Sequence, residues 1–317
     1  MAPPLSADEL DNLKSAAYDA FDDGNLSAAA ENFNKLTQLE PDNPTHHYMH
    51  GLAAKYLMDW SASLESNLRS QALSTEPDEA SIWNAGIAAT GLGNWSEARR
   101  QWARCGIELP ASDGPIEANF GTVSIRLNPW GDGETLYAHR IDPVRARLWN
   151  IPLPESGYQY GDIVLHDGAS TGSRLVEGKA VPVFNALQRL ERSEFKTFTA
   201  FVTCNDADSL SSLLDSRAPG LGAIEDWTAS ISSLCLRCSY GSPHEHDNKP
   251  KEKAWEPDRQ VGFAAQSKHV VEKVLGRWQR WHLKRKVTGI EYKEFPPILP
   301  QKGSKWWVSP KIESGGP

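Results

Sequence analysis

Gly24-Asn25-Leu26, Met58-Asp59-Trp60 and Gly93-Asn94-Trp95 recur at spacings of 34 and 35 residues, and this period decides the reading of the first third of the chain. A small residue follows each triplet (Ala29, Ser63, Ala98), and a proline closes each unit, in Glu40-Pro41, Glu76-Pro77 and Leu109-Pro110. Small residues also precede each turn at one-helix distance, as in Ala16-Ala17, Gly51 and Gly86. A fixed period of this length, with small side chains where two helices must approach closely, predicts a stacked helix-turn-helix array.

These segments resemble tetratricopeptide repeats over roughly residues 10–110. The second unit departs from the pattern: Asn67 stands where a large apolar residue is usual, and two extra residues precede Pro77. The resemblance implies a right-handed solenoid whose concave face is built from the first helix of each pair and binds peptides or other proteins. It places Lys14, Tyr18, Tyr48, Leu52, Lys55, Trp83, Asn84 and Ile87 on or near that groove. Tyr and Trp make good anchors there, burying large area at small entropic cost. The alternative is that these side chains pack against the chain's own later domain, because three repeats expose a large apolar flank.

Composition sets the frame. The chain has 317 residues, 39% hydrophobic and 23% charged, which suits two domains of ordinary size and a globular rather than disordered polymer. No apolar run approaches a bilayer span, and the opening residues lack the features of a secretory signal. Four cysteines are too few for a disulfide scaffold, so a cytoplasmic setting is expected. Charge is uneven: residues 1–110 carry 16 Asp or Glu against 7 Lys or Arg, whereas residues 248–290 carry 11 Lys or Arg against 4 Asp or Glu. The two ends therefore have opposite electrostatic character.

After Ser112-Asp-Gly-Pro115, which reads as a linker, prolines and glycines punctuate short apolar runs. Strands are expected at 122–127, 135–141, 145–151, 162–166, 195–204 and 227–235, and Asp206 is placed to cap an amphipathic helix through Leu210, Leu213 and Leu214. Gly168-Ala-Ser-Thr-Gly-Ser173 lacks the lysine of a phosphate loop and reads as a hairpin or loop connection. His139, Asp142, His166 and Asp167 fall at strand ends, where polar residues are expected without any catalytic role.

The stretch from Arg140 to Gly168, which contains Val-Arg-Ala-Arg-Leu-Trp-Asn-Ile-Pro-Leu-Pro, is similar to segments of bacterial proteins resembling immunity proteins of polymorphic toxin systems. That resemblance, over about residues 120–245, implies a cytoplasmic protein that captures and neutralises a toxin.

Cys235-Leu-Arg-Cys238 and His244-Glu-His246 gather two thiolates and two imidazoles within twelve residues, the ligand set tetrahedral zinc prefers. Three readings stand: a closed structural zinc site, unmetallated residues in a polar loop, or a redox-active cysteine pair. Residues 268–287 then read as one long basic helix, with Lys273, Arg277, Arg280, Lys284 and Arg285 interleaved with Val270, Val274, Trp278 and Trp281. Its cationic face suits solvent, the acidic repeats or, less readily in an acidic chain, nucleic acid.

The expected architecture is α+β: a helical repeat domain over 1–111, a mixed α+β domain with a zinc site over 112–295, and an irregular tail over 296–317. The expected function is a protein-protein interaction module acting as an immunity protein against a cognate toxin. The competing reading is a zinc-dependent hydrolase or nucleic-acid-processing enzyme whose repeats recruit substrate.

Overall fold

The computed structural model describes residues 5–131, 133–176, 179–228, 255–280, 282–300, 303 and 305–308. Six helices open the chain: α1 (Ala7–Asp22), α2 (Leu26–Leu39), α3 (Pro44–Tyr56), α4 (Trp60–Leu73), α5 (Glu79–Gly91) and α6 (Trp95–Arg104). The recurring triplet is the turn within each pair. Its first residue takes a left-handed backbone, with φ of 76° at Gly24, 61° at Met58 and 68° at Gly93. Its second is the N-cap of the next helix, as the side chains of Asn25, Asp59 and Asn94 accept from the backbone N–H three residues on. Its third begins that helix.

The small positions are equally physical. A Cβ on Gly51 would lie 2.5 Å from Asn67, and one on Gly86 would lie 2.5 Å from the Trp102 ring, so in the second and third pairs the first helix meets the second with no room for a side chain. Asn67 occupies the position held by Phe33 one unit earlier and Trp102 one unit later. It is fully buried and donates to the Ser63 carbonyl at 2.7 Å. The second pair forms in full despite this departure, and the two extra residues are absorbed between α4 and α5.

The linker after α6 is tied down rather than loose. Arg99 donates to the carbonyls of Pro110 (3.2 Å) and Gly114 (2.7 Å) and to Ser112 Oγ (2.7 Å). Five strands follow: β1 (Thr122–Arg126), β2 (Thr135–Arg140), β3 (Arg145–Leu148), β4 (Ile163–Val176) and β5 (Lys179–Glu191). They run as an antiparallel meander and close into a barrel by parallel pairing of β1 with β5, with Ile125 opposite Phe184. Val123, Ile125, Leu127, Leu148, Val164 and Ala186 belong to its buried core.

A four-stranded antiparallel sheet comes next, in the order β7-β8-β6-β9, from β6 (Lys196–Thr203), β7 (Leu221–Asp226), β8 (Asp258–Ala265) and β9 (Lys286–Tyr292). Helices α7 (Ala207–Leu214) and α8 (Lys268–Gln279) cover one face, where Leu210, Leu213, Val271, Val274 and Trp278 meet Phe198, Val202, Val261 and Phe263. Asp206 caps α7 by accepting from Ser209 N at 2.7 Å, as its sequence position predicts. Ile151, Leu153, Tyr160 and Phe195 join this sheet to the barrel through Trp227 and Ala264.

Several expectations are corrected. The basic helix stops at Gln279; Arg285 folds back to donate to the Trp278 carbonyl, and Val287 and Ile290 are drawn into β9, which pairs with β6. Sheet pairing outweighs the helical spacing of the cations. Gly168 to Ser173 lies within β4 instead of forming a connection, and β4 accommodates it through register shifts between Leu165 and Gly172. His166 and Asp167 therefore sit inside a strand and not at its end. Trp227 and Thr228 are helical, and the strand nearby is β7. The remainder of the strand expected at 227–235 lies outside the described residues, as does Trp281. No described helix is long and apolar enough to cross a membrane.

Candidate interaction surfaces

The eight groove residues do not share one fate. Among the described residues the first repeat is the more open: Tyr18 is 39% exposed, edge-on to the Phe33 ring at 5.2 Å, and Lys14 forms a partly exposed ion pair with Glu40 at 3.2 Å, while further along α1 Phe21 meets Trp307 of the tail at 5.4 Å. Tyr48 and Leu52 in α3 are partly buried. Burial pushes the Tyr48 phenol pKa above its usual value, with the Asn84 side chain hydrogen-bonded to it.

At the end of the second repeat and at the third, the groove is filled from within the chain. Strand β4 lies against α5, and Lys55 Nζ donates to Asp167 Oδ1 at 3.0 Å and Oδ2 at 3.3 Å. A Cβ on Gly168 would lie 2.8 Å from the Trp83 ring, so the strand approaches the indole as closely as a residue without a side chain permits. Ile87 and Asn84 are buried, and Ile87 shares a core with Val144, Leu165 and Leu187 of the barrel region. Two further contacts fasten the same seam: Trp60 Nε1 donates to Gln188 Oε1 at 2.6 Å, and Arg145 lies 4.6 Å from the centre of the Trp95 ring while paired to buried Asp142.

The tail supplies a third layer. Gly303 N donates to Gly24 O at 3.2 Å, Trp130 Nε1 donates to Ile298 O at 2.8 Å, and Asn185 Nδ2 donates to Trp306 O at 2.8 Å. Trp306 is buried edge-on to Tyr56 and Trp130, and Trp307 stacks on Tyr56 at 4.9 Å. Among the described tail residues, Trp306 and Trp307 are the anchors, packed between array and barrel.

The four polar residues weighed as catalytic candidates occupy structural positions. Asp142 accepts from the backbone N–H of Val144 and Arg145. His166 is fully buried, its Nδ1 2.7 Å from the Asp167 carbonyl; burial pushes its pKa down to about 3, and Arg140 adds to the shift. His139 stacks flat on Trp149 at 5.3 Å. Asp167 is the Lys55 partner. Among the described residues no group of three or more His, Cys, Asp or Glu is gathered in a way that could hold a metal. Cys235, Cys238, His244 and His246 lie outside the described residues.

Sequence reasoning missed β5 and β8 and, with them, a cleft between barrel and second sheet. Arg147, Trp149, Tyr160, Arg192, Phe195 and Gln266 help to line a space of about 440 Å³. The sequence shows only Arg145-Ala-Arg147, and which arginine is buried emerges from the strand's packing.

No protein family matches the chain, and no curated protein matches it. Among solved structures, one described as "CopN-Scc3 complex" is 18% identical with a TM-score of 0.29, over 31% of this chain and 58% of that one. "First TPR of Spaghetti (RPAP3) bound to HSP90 peptide SRMEEVD" is 18% identical with a TM-score of 0.29, over 32% of this chain and 81% of that one. A hypothetical protein from Neisseria gonorrhoeae is 11% identical with a TM-score of 0.23, over 57% of this chain and 96% of that one. This chain thus spans somewhat over half the length of the first of these structures.

Proposed function

We infer that this is a protein-binding protein that receives its partner on the open first-repeat end of the helical array. The supporting observation is the gradient of exposure along one groove, from Tyr18 at 39% to Ile87 at 1%. An array sealed at one end by its own barrel keeps the other end rigid, which lowers the ordering cost of binding. Tyr18 is a large anchor of low entropy there, and the 16 acidic against 7 basic residues of 1–110 favour a partner with a basic surface.

The specific form of this reading is an immunity protein that neutralises a cognate toxin, and its support is the resemblance of residues 140–168. Cells producing both this chain and the toxin encoded beside it are expected to survive, and Tyr18→Ala with Lys14→Glu is expected to abolish protection and co-purification. Unprotected cells would sink the toxin reading, and a partner retained in full by the double variant would sink the array reading. A structural zinc at Cys235, Cys238, His244 and His246 belongs to the same proposal on ligand chemistry alone. Metal content of the purified protein, compared with Cys235→Ser, tests it.

A further inference from the structure

The cleft between the barrel and the second sheet is unrelated to the array groove, and its lining is unusual in one respect. Arg192 is paired with Glu294 and donates to Gln159 Oε1 at 3.3 Å. Glu194 accepts from Gln266 Nε2 at 2.8 Å, and Glu191 lies 3.9 Å from Arg145 Nη1. Arg147 alone of the charged lining residues has a side chain with no hydrogen-bonding or ionic partner among the described residues. Two positions on, Trp149 is 49% exposed, yet its ring is held by the parallel His139 imidazole and its backbone N–H donates to Tyr137 O at 3.0 Å. Tyr160 and Phe195, packed edge-to-face at 5.4 Å, add to the cleft wall.

An uncompensated guanidinium beside a preorganised, half-exposed indole, in a cleft at a domain junction, has the features of a recognition site. We propose that this cleft binds a peptide segment of a partner protein in which an acidic residue stands next to an apolar anchor. The carboxylate pairs with Arg147 in the bidentate geometry guanidinium favours, and the apolar side chain covers Trp149. Glu191 and Glu194 on the same wall disfavour a uniformly anionic ligand, which separates this class from a nucleic-acid strand. The inference goes beyond the array reading and does not depend on it.

The test uses the full chain and a fluorescein-labelled peptide of one Asp and two Leu flanked by Gly, followed by fluorescence anisotropy. Saturable binding below about 1 mM is expected, falling at least about tenfold in Arg147→Glu and in Trp149→Ala, with partial recovery in Arg147→Lys. The same peptide with Asn in place of Asp is expected to bind comparably weakly. Tyr18→Ala must leave this binding unchanged, so failure here is distinct from failure of the array reading. Both cleft side chains are solvent-exposed, and circular dichroism checks that each variant folds. No saturable binding, equal binding by the variants, or displacement by oligo-dT would overturn the proposal.

Discussion

Lys55 Nζ lies 3.0 Å from Asp167 Oδ1 with the two side chains 3% and 4% exposed, so residues 112 positions apart form an ion pair almost wholly removed from water. The ammonium also lies 4.3 Å from the centre of the Tyr56 ring, and Ala169 N donates to the same carboxylate at 3.4 Å. Among the described residues neither charge takes part in another ion pair. The pair therefore fixes which face of the array meets which strand of the barrel, more than it adds net stability.

From this follows an asymmetry between single and double substitution. Lys55→Met alone, or Asp167→Leu alone, leaves one buried charge uncompensated and is expected to cost about 3–5 kcal/mol. The double substitution is expected to cost far less than the sum, since it leaves no uncompensated buried charge and replaces the pair by two apolar groups in contact. Urea denaturation of the four proteins in a double-mutant cycle measures the coupling. Additive losses would show that the pair does not act as a unit.

Within the array, Asn67 and Gly86 give opposite expectations. Asn67 Oδ1 is buried with no hydrogen-bond partner among the described residues, and its neighbour across the helix pair is Gly51. Asn67→Leu keeps the branching at Cγ and adds volume at a position where the neighbouring units bury the still larger Phe33 and Trp102; it removes the unsatisfied acceptor, so a gain of about 1 kcal/mol is expected despite loss of the bond to Ser63 O. Gly86→Ala forces a methyl group against a rigid, fully buried indole and is expected to cost about 1–3 kcal/mol. Thermal melting of both variants decides the signs.

These positions also show what the sequence could reveal. The array was legible because its signals are local: a cap, a left-handed turn residue and a small residue recur at a fixed spacing, and each is demanded by backbone geometry within one helical pair. Asn67 was visible as a departure for the same reason. The barrel was legible only in its first strands. Lys179 to Glu191 carries Pro182 and mixed polar residues because β5 is buried by different neighbours along its length, so period-two alternation is lost. Gly168 to Ser173 looks like loop composition, yet Gly168 is required where β4 meets Trp83, a long-range contact that no local pattern announces. The eight groove residues lie on α1, α3 and α5, but the barrel residues that cover Lys55, Trp83 and Ile87 stand at least 50 positions further along the chain. The lone cation Arg147 becomes notable only when the pairing of its neighbours is known.

Trp306 is expected to be the point at which the tail holds array and barrel together. Its ring meets Tyr56 of the array and Trp130 beside the barrel at 5.3 Å each, and its carbonyl accepts from fully buried Asn185. Trp306→Ala removes a large buried side chain and is expected to cost about 3–5 kcal/mol, with Trp307→Ala, partly exposed, costing less. Hydrogen exchange is the discriminating measurement: amides of α3 and β5 should lose protection together in Trp306→Ala. Unchanged protection at this seam would mean that the tail lies on the surface without holding it.

Two buried groups give stability a pH dependence whose sign differs between acid and alkaline conditions. Burial raises the Glu134 carboxyl pKa from 4.5 to about 8, reinforced by Glu225 and Glu155 and opposed by the Leu153 N–H that donates to it at 3.0 Å. The folded state thus keeps a proton that the unfolded chain releases above 4.5, and stability falls as pH rises towards 8. His166 acts in the opposite sense: its pKa drops from 6.5 to about 3, so the unfolded chain takes up a proton below 6.5 that the folded state refuses, and stability falls as pH drops. Between 4.5 and 6.5 the two trends oppose each other. From 6.5 to 8 Glu134 is the one of the two that still titrates, and a loss of about 1–2 kcal/mol from it is expected across that window. Glu134→Gln keeps an acceptor for Leu153 N and removes the titration, so its urea midpoint should stay level from pH 6.5 to 8 while that of the parent protein declines. Parallel declines in the two proteins would assign the pH dependence to another group.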